Sequence, residues 1–480
     1  MFLHGLLPVP VPVLLRRVHW ALLQNSLLVG ALTTLLAAVF GLAAALWLAG
    51  LTPPWRTRWL AACLVALALP PFLATNCWLH YLGQTGVWRS WLPLNIFSLG
   101  GTVWILALLT WPITTLFLLG AWRRIEPAQF ESDPAMTGVA LLRGLLWPAG
   151  RAAAGQAAAL TFVLALNNFA VPAILQVKVF PAELWVKFET NRDFSAALMA
   201  SWPMVLAPAV LLLALRRAEV SWPRTEGAVP ARAWRRQLGG GWFWSSGAVA
   251  LAVLALSVGL PLAQILGAAR TWTELPNLLR ATPAALQNSF LLAATTATLC
   301  VALGWACWRW PLGLMLWLPL LTPGVLLGIG VIFIFNRPVF DAFYPSGAFV
   351  VLAFAARYLA LGWNGVGHAR RAVDRDLTDA ARLDGAGRWA LLRQVHGPQM
   401  AAPVGAAWYV TYLLCLWDVE ALVLIVPPGG ETLALRVFNL LHYGHNAQVN
   451  AMCLVLLALA VAPATAWCAV RWILHRRQHA

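Results

Sequence analysis

The chain has 480 residues, of which 61% are hydrophobic and 10% are charged, and its formal net charge is +16. Soluble domains carry about 25% charged residues, so this composition excludes an ordinary soluble protein. The arginines are spread over loops that alternate with apolar runs, which argues against a nucleic-acid-binding surface and predicts an all-α polytopic membrane protein.

Apolar runs of roughly 20 residues are long enough for a helix to cross a bilayer. They predict eleven spans, at about 24–50, 59–84, 97–121, 152–177, 195–215, 242–268, 286–308, 312–335, 346–364, 400–427 and 449–474. Lys and Arg concentrate in the loops on the side of residues 379–398, which predicts that this side is cytoplasmic. Residues 1–23 conflict with this orientation because they carry Arg16 and Arg17, so either this tail is translocated or it forms a half-inserted hairpin.

The sequence repeats itself. Leu-Gln-Asn-Ser opens a span at 23–26 and again at 286–289, and ALLRGLLWP, ending at Pro148, aligns with ALLRQVHGP, ending at Pro398. Six predicted spans separate equivalent positions, which predicts two halves of one orientation, a parallel repeat. We expect a first half at 1–215 with five spans, a cytoplasmic linker at 216–241 rich in Arg, Pro and Gly, and a second half at 242–480 with six spans.

A polar island, DAARLDGAGRWALLRQVHGP, interrupts the apolar runs at 379–398. It predicts a short helix, a reversal at Gly385, a second short helix, and a long helix opened by Pro398. Ala380 and Ala381 are small and would let another surface approach closely.

This island resembles the EAA loop of bacterial ABC importer permeases, whose pattern is Glu-Ala-Ala, three residues, Gly, nine residues, then Ile-x-Leu-Pro. Asp379, Ala380 and Ala381 match the opening triplet, Gly385 matches the glycine, and Val395 to Pro398 match the end. Asp for Glu and Val for Ile are mild departures, whereas Gly397 replaces the Leu of the pattern.

The first half carries a degenerate copy at 129–148, QFESDPAMTGVALLRGLLWP. Gln129, Phe130 and Glu131 occupy the lead positions, Ala135 replaces the glycine, and both Arg143 and Pro148 survive. The resemblance implies a coupling loop that keeps its position but has lost its chemistry.

The resemblance also implies a type I ABC permease in the bacterial inner membrane, with a separate ATPase subunit in two copies and a periplasmic solute-binding protein as partners. Residues 167–189 and 427–451 are similar to segments of fused iron(III)-type permeases, which implies iron(III) as solute; related permeases handle thiamine, phosphonates or polyamines. The chain has two lysines, Lys178 and Lys187, and neither completes a phosphate-binding GxxxxGK[ST] loop, so we expect no ATP hydrolysis by that route and no catalytic residues.

Three polar residues in apolar segments are candidates for a translocation pathway. Asn168 and Asp418 each follow a loop proline by 20 residues, and Arg357 lies inside the predicted ninth span. An ionised Asp at mid-membrane costs about 2.5–3.5 kcal/mol, so it needs a partner or water. The alternatives are helix–helix hydrogen bonds for Asn168 and Asp418, and a structural ion pair or snorkelling for Arg357. Glu420, two residues past Asp418, is not expected to share its helical face.

We predict no metal or cofactor. The seven cysteines lie in apolar segments without metal spacing and are expected to be small buried hydrophobes. His442, Tyr443 and His445 form a weak ligand set in a predicted external loop.

Two other functions remain open from the residues alone. An ion-coupled secondary transporter could use Asp418 and Arg357 but would leave the island at 379–398 unexplained. A membrane-embedded enzyme is disfavoured because neither HExxH nor GxSxG occurs.

Overall fold

The computed structural model describes residues 20–133, 135–191, 201–215, 229–442 and 446–479, and every regular element among them is helical. Their Cα atoms cluster into two compact units. The first runs to Val186 and takes in Leu206–Trp272, and the second comprises Lys187–Val205 and Thr273–Ala480. The predicted division into halves at 215 and 242 stays a prediction.

The helices up to residue 267 begin with an apolar helix of 30 residues and alternate between long and short elements. In chain order they are α1 (Trp20–Ala49), α2 (Pro53–Ala68), α3 (Pro71–Leu82), α4 (Leu99–Trp122), α5 (Pro127–Glu131), α6 (Val139–Leu166), α7 (Ala170–Ile174), α8 (Phe180–Asn191), α9 (Trp202–Leu215), α10 (Ala231–Leu238) and α11 (Gly240–Gly267).

The remaining helices repeat this sequence of long, bent and short elements. They are α12 (Ala269–Ala281), α13 (Pro283–Cys307), α14 (Gly313–Leu321), α15 (Gly324–Phe335), α16 (Gly347–Arg371), α17 (Arg375–Leu383), α18 (Arg388–Trp417), α19 (Leu422–Ile425), α20 (Leu433–His442) and α21 (Asn446–His479).

Eight helices are long and apolar enough to cross a membrane among the described residues, or up to ten if each of two bent pairs counts as one span. The chain is therefore an all-helical polytopic membrane protein, as predicted. The predicted spans 59–84 and 312–335 are not single helices: α2 and α3 meet at 85°, and residues 315–321 and 324–335 meet at 116°. Pro70 and Pro323 stand at these breaks and lack the N–H that would continue the helical ladder.

Other predicted boundaries shift. The predicted spans at 152–177 and 400–427 end early, at Leu166 and Trp417, and begin early, inside the loops at Val139 and Arg388. The predicted span 195–215 begins outside the described residues, and its described part supplies only a shorter apolar helix, Trp202–Leu213.

Pro148 and Pro398 lie inside the continuous helices α6 and α18 rather than opening new ones, so the prediction that Pro398 opens a long helix is wrong. A π-helical turn precedes each proline: the N–H of Trp147 donates to Leu142 O, and the N–H of Gly397 donates to Leu392 O. Because proline has no N–H to bond the carbonyl four residues back, a widened turn before it keeps the helix continuous.

The paired Asn-Ser motifs make the same hydrogen bonds in each unit. In the first, Asn25 Nδ2 donates to Lys178 O (3.0 Å) and Ser26 Oγ accepts from Phe180 N (2.8 Å). In the second, Asn288 Nδ2 donates to Glu431 O (3.2 Å) and Ser289 Oγ accepts from Leu433 N (2.8 Å). Each pair anchors the segment that follows a helix break to the start of a long helix.

Small residues set the helix packing inside each unit. A Cβ on Gly41 of α1 would come within 2.5 Å of Thr114 Cβ in α4, and a Cβ on Gly304 of α13 would come within 2.6 Å of the Gly362 carbonyl carbon in α16. Close backbone approach of this kind drives helix association in membranes. Cys63, Cys77, Cys300, Cys415 and Cys453 are buried in these packed regions, whereas Cys468 is exposed.

Candidate functional sites

The second-unit loop is an exposed reversal between two helices. Asp374 caps α17 by accepting hydrogen bonds from Asp376 N (2.8 Å) and Leu377 N (3.4 Å). Gly385 has φ +84°, a left-handed conformation that side chains disfavour. The predicted helix–glycine–helix order is therefore observed, with α17 before the glycine and α18 after it.

Two hydrogen bonds tie this loop to the start of α18. Thr378 Oγ1 lies 3.3 Å from His396 Nε2, and Asp374 N donates to Gln399 Oε1 at 2.9 Å. These contacts connect α17 directly to the long helix behind it.

The outer face of the loop is open. Asp379, Ala380 and Pro398 are exposed, and Ala381 and Val395 are half-buried. Asp379 pairs with Arg382 at 3.2 Å, but both side chains are more than 60% exposed, so the pair adds little stability. Leu383 and Trp389 are 89% and 73% exposed, which leaves an apolar surface around the glycine turn.

The first-unit loop keeps its position but is covered by another part of the chain. Phe130, which aligns with Ala380, is buried and stacks on Trp234 of α10 with ring centroids 5.2 Å apart. Gln237 Nε2 donates to Phe130 O, and Gly138 N donates to Gln237 O at 2.9 Å. Residues 231–238, predicted as part of a linker, therefore form a helix clamped to both ends of this loop.

The turn in the first loop is made by a residue that sequence reasoning missed. Ala135, at the glycine position of the pattern, donates its N–H to Asp133 Oδ1 (3.0 Å), and the left-handed residue is Gly138, with φ +55°. Gln129, Arg143 and Pro148 are exposed. Glu131 ends α5, and its side chain lies outside the described part.

Asn168 and Asp418 occupy the same structural position in their units. Each lies just past the end of a long helix, α6 or α18, rather than inside a span. Asn168 Oδ1 accepts from Val171 N (3.0 Å), and Asp418 Oδ1 accepts from Ala421 N (3.1 Å). Both side chains thus cap the short helix after the break, which supports their equivalence in the repeat.

The second unit adds charge to this break. Arg357 Nη1 donates to Asp418 Oδ2 at 2.8 Å, and Tyr358 Oη donates to the same oxygen at 2.8 Å. Arg357 is 9% exposed and Asp418 is 5% exposed, so this is a buried ion pair. Arg357 pairs with carboxylates and does not snorkel.

The expectation that Glu420 lies apart from Asp418 is wrong. Arg357 Nη2 donates to Glu420 Oε2 at 2.7 Å, and Gly324 N donates to the same oxygen at 3.3 Å. The helical-face argument fails because residues 418–421 lie between α18 and α19, where side chains two residues apart can point the same way. Arg357 therefore bridges two carboxylates beside the N-terminus of α15, whose dipole favours negative charge.

Metal ligation finds no support in the described residues, where no group of three or more His, Cys, Asp or Glu side chains could hold an ion. Tyr443 and His445 lie outside the described residues, so the set with His442 is not tested.

Because several of its helices are long and apolar enough to cross a membrane, the chain is a multi-pass membrane protein. No family model matches it. It is similar to the spermidine/putrescine transport system permease protein PotC of Escherichia coli K12, with 23% identity over 147 residues, 31% of this chain and 54% of that protein. It is also similar to the 2-aminoethylphosphonate transport system permease protein PhnV, as named in Salmonella paratyphi A and in Salmonella typhimurium. Each of these two proteins is 26% identical to this chain over 155 residues, which are 32% of this chain and 57% of the relative.

The chain spans about half the length of the curated relatives it matches. All are permease proteins of transport systems, which are membrane components rather than enzymes, and this agrees with the prediction of a non-enzymatic chain. The similarity is distant and partial.

Proposed function

We propose that this chain is the transmembrane permease subunit of an ATP-driven importer. The observation that carries the proposal is the loop formed by α17 and the start of α18: it has the spacing of an EAA loop, an exposed outer face, and hydrogen bonds that fix it to a long helix. A separate ATPase subunit would dock on the loop and supply the energy, because the chain has no phosphate-binding loop of its own.

Matched contacts in the two units support a parallel repeat of the type I permease kind. The Asn-Ser anchors, the π-helical turns before Pro148 and Pro398, and the caps made by Asn168 and Asp418 recur at corresponding positions. We infer two halves with five and six spans, with both loops on the cytoplasmic side of a bacterial inner membrane and a periplasmic binding protein delivering the solute.

The proposed pathway passes the helix breaks at Asn168 and Asp418. Arg357 forms the ion pair with Asp418 at the charged break. Discontinuous helices at membrane depth form solute sites in many transporters. Ionisable residues in spans are costly and usually functional. The uncharged break at Asn168 makes the same cap, so capping alone does not require the charge at Asp418.

The solute is a small molecule or ion. The names of the relatives favour a polyamine or an aminophosphonate, whereas iron(III) rests only on the resemblance of residues 167–189 and 427–451. An ion-coupled secondary transporter is the alternative that the Arg357–Asp418–Glu420 cluster favours.

Affinity purification of the tagged chain from its native host tests the proposal. We expect an ATPase subunit to co-purify and to be lost from the Asp379→Arg variant, while a Gln129→Arg variant retains it. Uptake that survives ATP depletion but collapses with an uncoupler would replace the importer with the secondary transporter.

A further inference from the structure

A cleft of about 680 Å³ opens inside the second unit, between the ends of two long helices and the inner side of α17. Trp305 lies in the last turn of α13 and Trp308 directly follows that helix, and Arg370 and Arg371 are the last residues of α16. Both helices are candidate membrane spans. They run parallel, because Cys300 contacts Ala355, Gly304 contacts Gly362 and Trp305 contacts Arg370, so the cleft lies where two spans leave the bilayer.

The cleft carries surplus positive charge. Its lining includes Arg370, Arg371, Arg375 and Arg382, and Asp379 is its one acidic residue among the described part of the chain. Asp379 is already paired with Arg382 at 3.2 Å. The other three arginines therefore give the cleft a positive field that favours an anion.

The guanidinium group of Arg370 stacks on two tryptophan rings. Arg370 Cζ lies 4.1 Å from the ring centroid of Trp305 and 4.8 Å from that of Trp308. Its Nε is buried and has no hydrogen-bond partner. Stacking fixes the guanidinium plane without using its N–H donors, which leaves donors for a phosphate oxygen.

The corresponding cleft in the first unit shows that the fold does not require an arginine at the position of Arg370. Counted from the shared Leu-Gln-Asn-Ser, Trp305 aligns with Leu42; counted from the capping residues Ser98 and Ser346, Arg370 aligns with Trp122. Leu42 and Trp122 line a cleft of about 670 Å³ whose walls are largely apolar, with Arg143 and Arg151 on it. Trp147 lines that cleft as well, so what is particular to the second unit among the described residues is an arginine stacked on two tryptophan rings.

We propose that the second-unit cleft binds the phosphate-bearing headgroup of an anionic membrane lipid. Tryptophan and arginine at the ends of spans match the headgroup layer, and basic pockets between helices on the cytoplasmic side take such headgroups. The volume lies within the range of small-ligand sites. Because the buried Thr378 lines the same cleft, a bound lipid contacts the inner side of α17, while Ala380 and Leu383 on its outer face stay open.

The test uses the purified full chain in detergent and needs no partner subunit, so its outcome is independent of the proposed importer function. Native mass spectrometry counts phosphatidylglycerol retained by the chain, with phosphatidylcholine as the neutral lipid. We expect the wild type to retain phosphatidylglycerol about tenfold better and the R370Q/R371Q variant to lose this preference. The matched control is R388Q/R393Q, which removes two exposed arginines outside the cleft.

The proposal would be overturned by an equal loss in the control, by no preference in the wild type, or by displacement of the lipid by millimolar inorganic phosphate, which would identify a free phosphate compound as the ligand. If R370Q/R371Q fails to fold, R370K/R371K keeps the charge and should keep most of the preference. Wild-type retention should also fall as salt is raised, because the attraction is electrostatic; retention insensitive to salt contradicts the proposal.

Discussion

Phe130 and Trp234 stack with their ring centroids 5.2 Å apart and their planes at 26°. This contact joins α5 in the first loop to α10, more than 90 residues further along the chain. Trp234 Nε1 also donates to Leu46 O at 3.1 Å, so the indole links three segments of the first unit. In the second unit the aligned Ala380 is exposed, and no aromatic ring of the described residues stacks there.

Trp234→Ala should lower the thermal unfolding temperature of the purified chain markedly. Loss of a buried aromatic side chain costs about 3–5 kcal/mol, and the Leu46 carbonyl would lose its donor. Trp244→Ala is the matched control, because Trp244 is 69% exposed. Phe130→Ala should add less in the Trp234→Ala background than alone, by about 1 kcal/mol. Strict additivity would contradict the stacking contact.

Substitutions in the two loops should have unequal effects on solute uptake by whole cells. Gly385→Val should abolish uptake, since Val is strained at φ +84° although its Cβ meets nothing within 4 Å. Ala135→Val, at the aligned position of the first loop, should leave uptake nearly unchanged, because Ala135 has a negative φ. Immunoblots of membranes check that both variants are inserted. Equal loss of uptake in both would show that the two loops couple equally.

The loop chemistry could be read from sequence because its signals are local. The small Ala380 and Ala381 and the reversal at Gly385 are preferences that act over a few residues. The burial of Phe130 under Trp234 could not be predicted from the sequence, because Trp234 lies in a stretch rich in Arg, Pro and Gly that predicts a linker. Nothing local indicates that its eight-residue helix packs on a distant loop.

The polar cluster shows the second limit of sequence reasoning. Arg357 and Asp418 stood out as charges in apolar runs, so both were candidates. Their pairing with Glu420 was missed because helical periodicity was applied across residues 418–421, where the helix has ended.

Arg357→Gln should be the most destabilising single change in the cluster. It leaves the Asp418 and Glu420 carboxylates without their cation, and breaking a buried pair this way costs about 3–5 kcal/mol. The triple variant R357Q/D418N/E420Q removes all three charges and should recover most of the stability. Thermal unfolding in detergent measures both. If the triple variant is less stable than R357Q alone, the cluster is not held by charge compensation.

Gly324→Ala should destabilise the chain although it adds a single methyl group. Gly324 opens α15 at the 116° break, and its N–H donates to Glu420. A Cβ there would lie against Arg357 Nη1 and 2.6 Å from Glu420 Cβ, so the ion cluster would have to move. Overpacking of this kind costs about 1–3 kcal/mol.

Gly330→Ala, in the same helix, is the control because its Cβ would meet nothing within 4 Å and alanine favours a helix. We therefore expect Gly330→Ala to keep or raise the unfolding temperature and Gly324→Ala to lower it; the same shift in both would mean that the close approach at residue 324 is not what holds the cluster together.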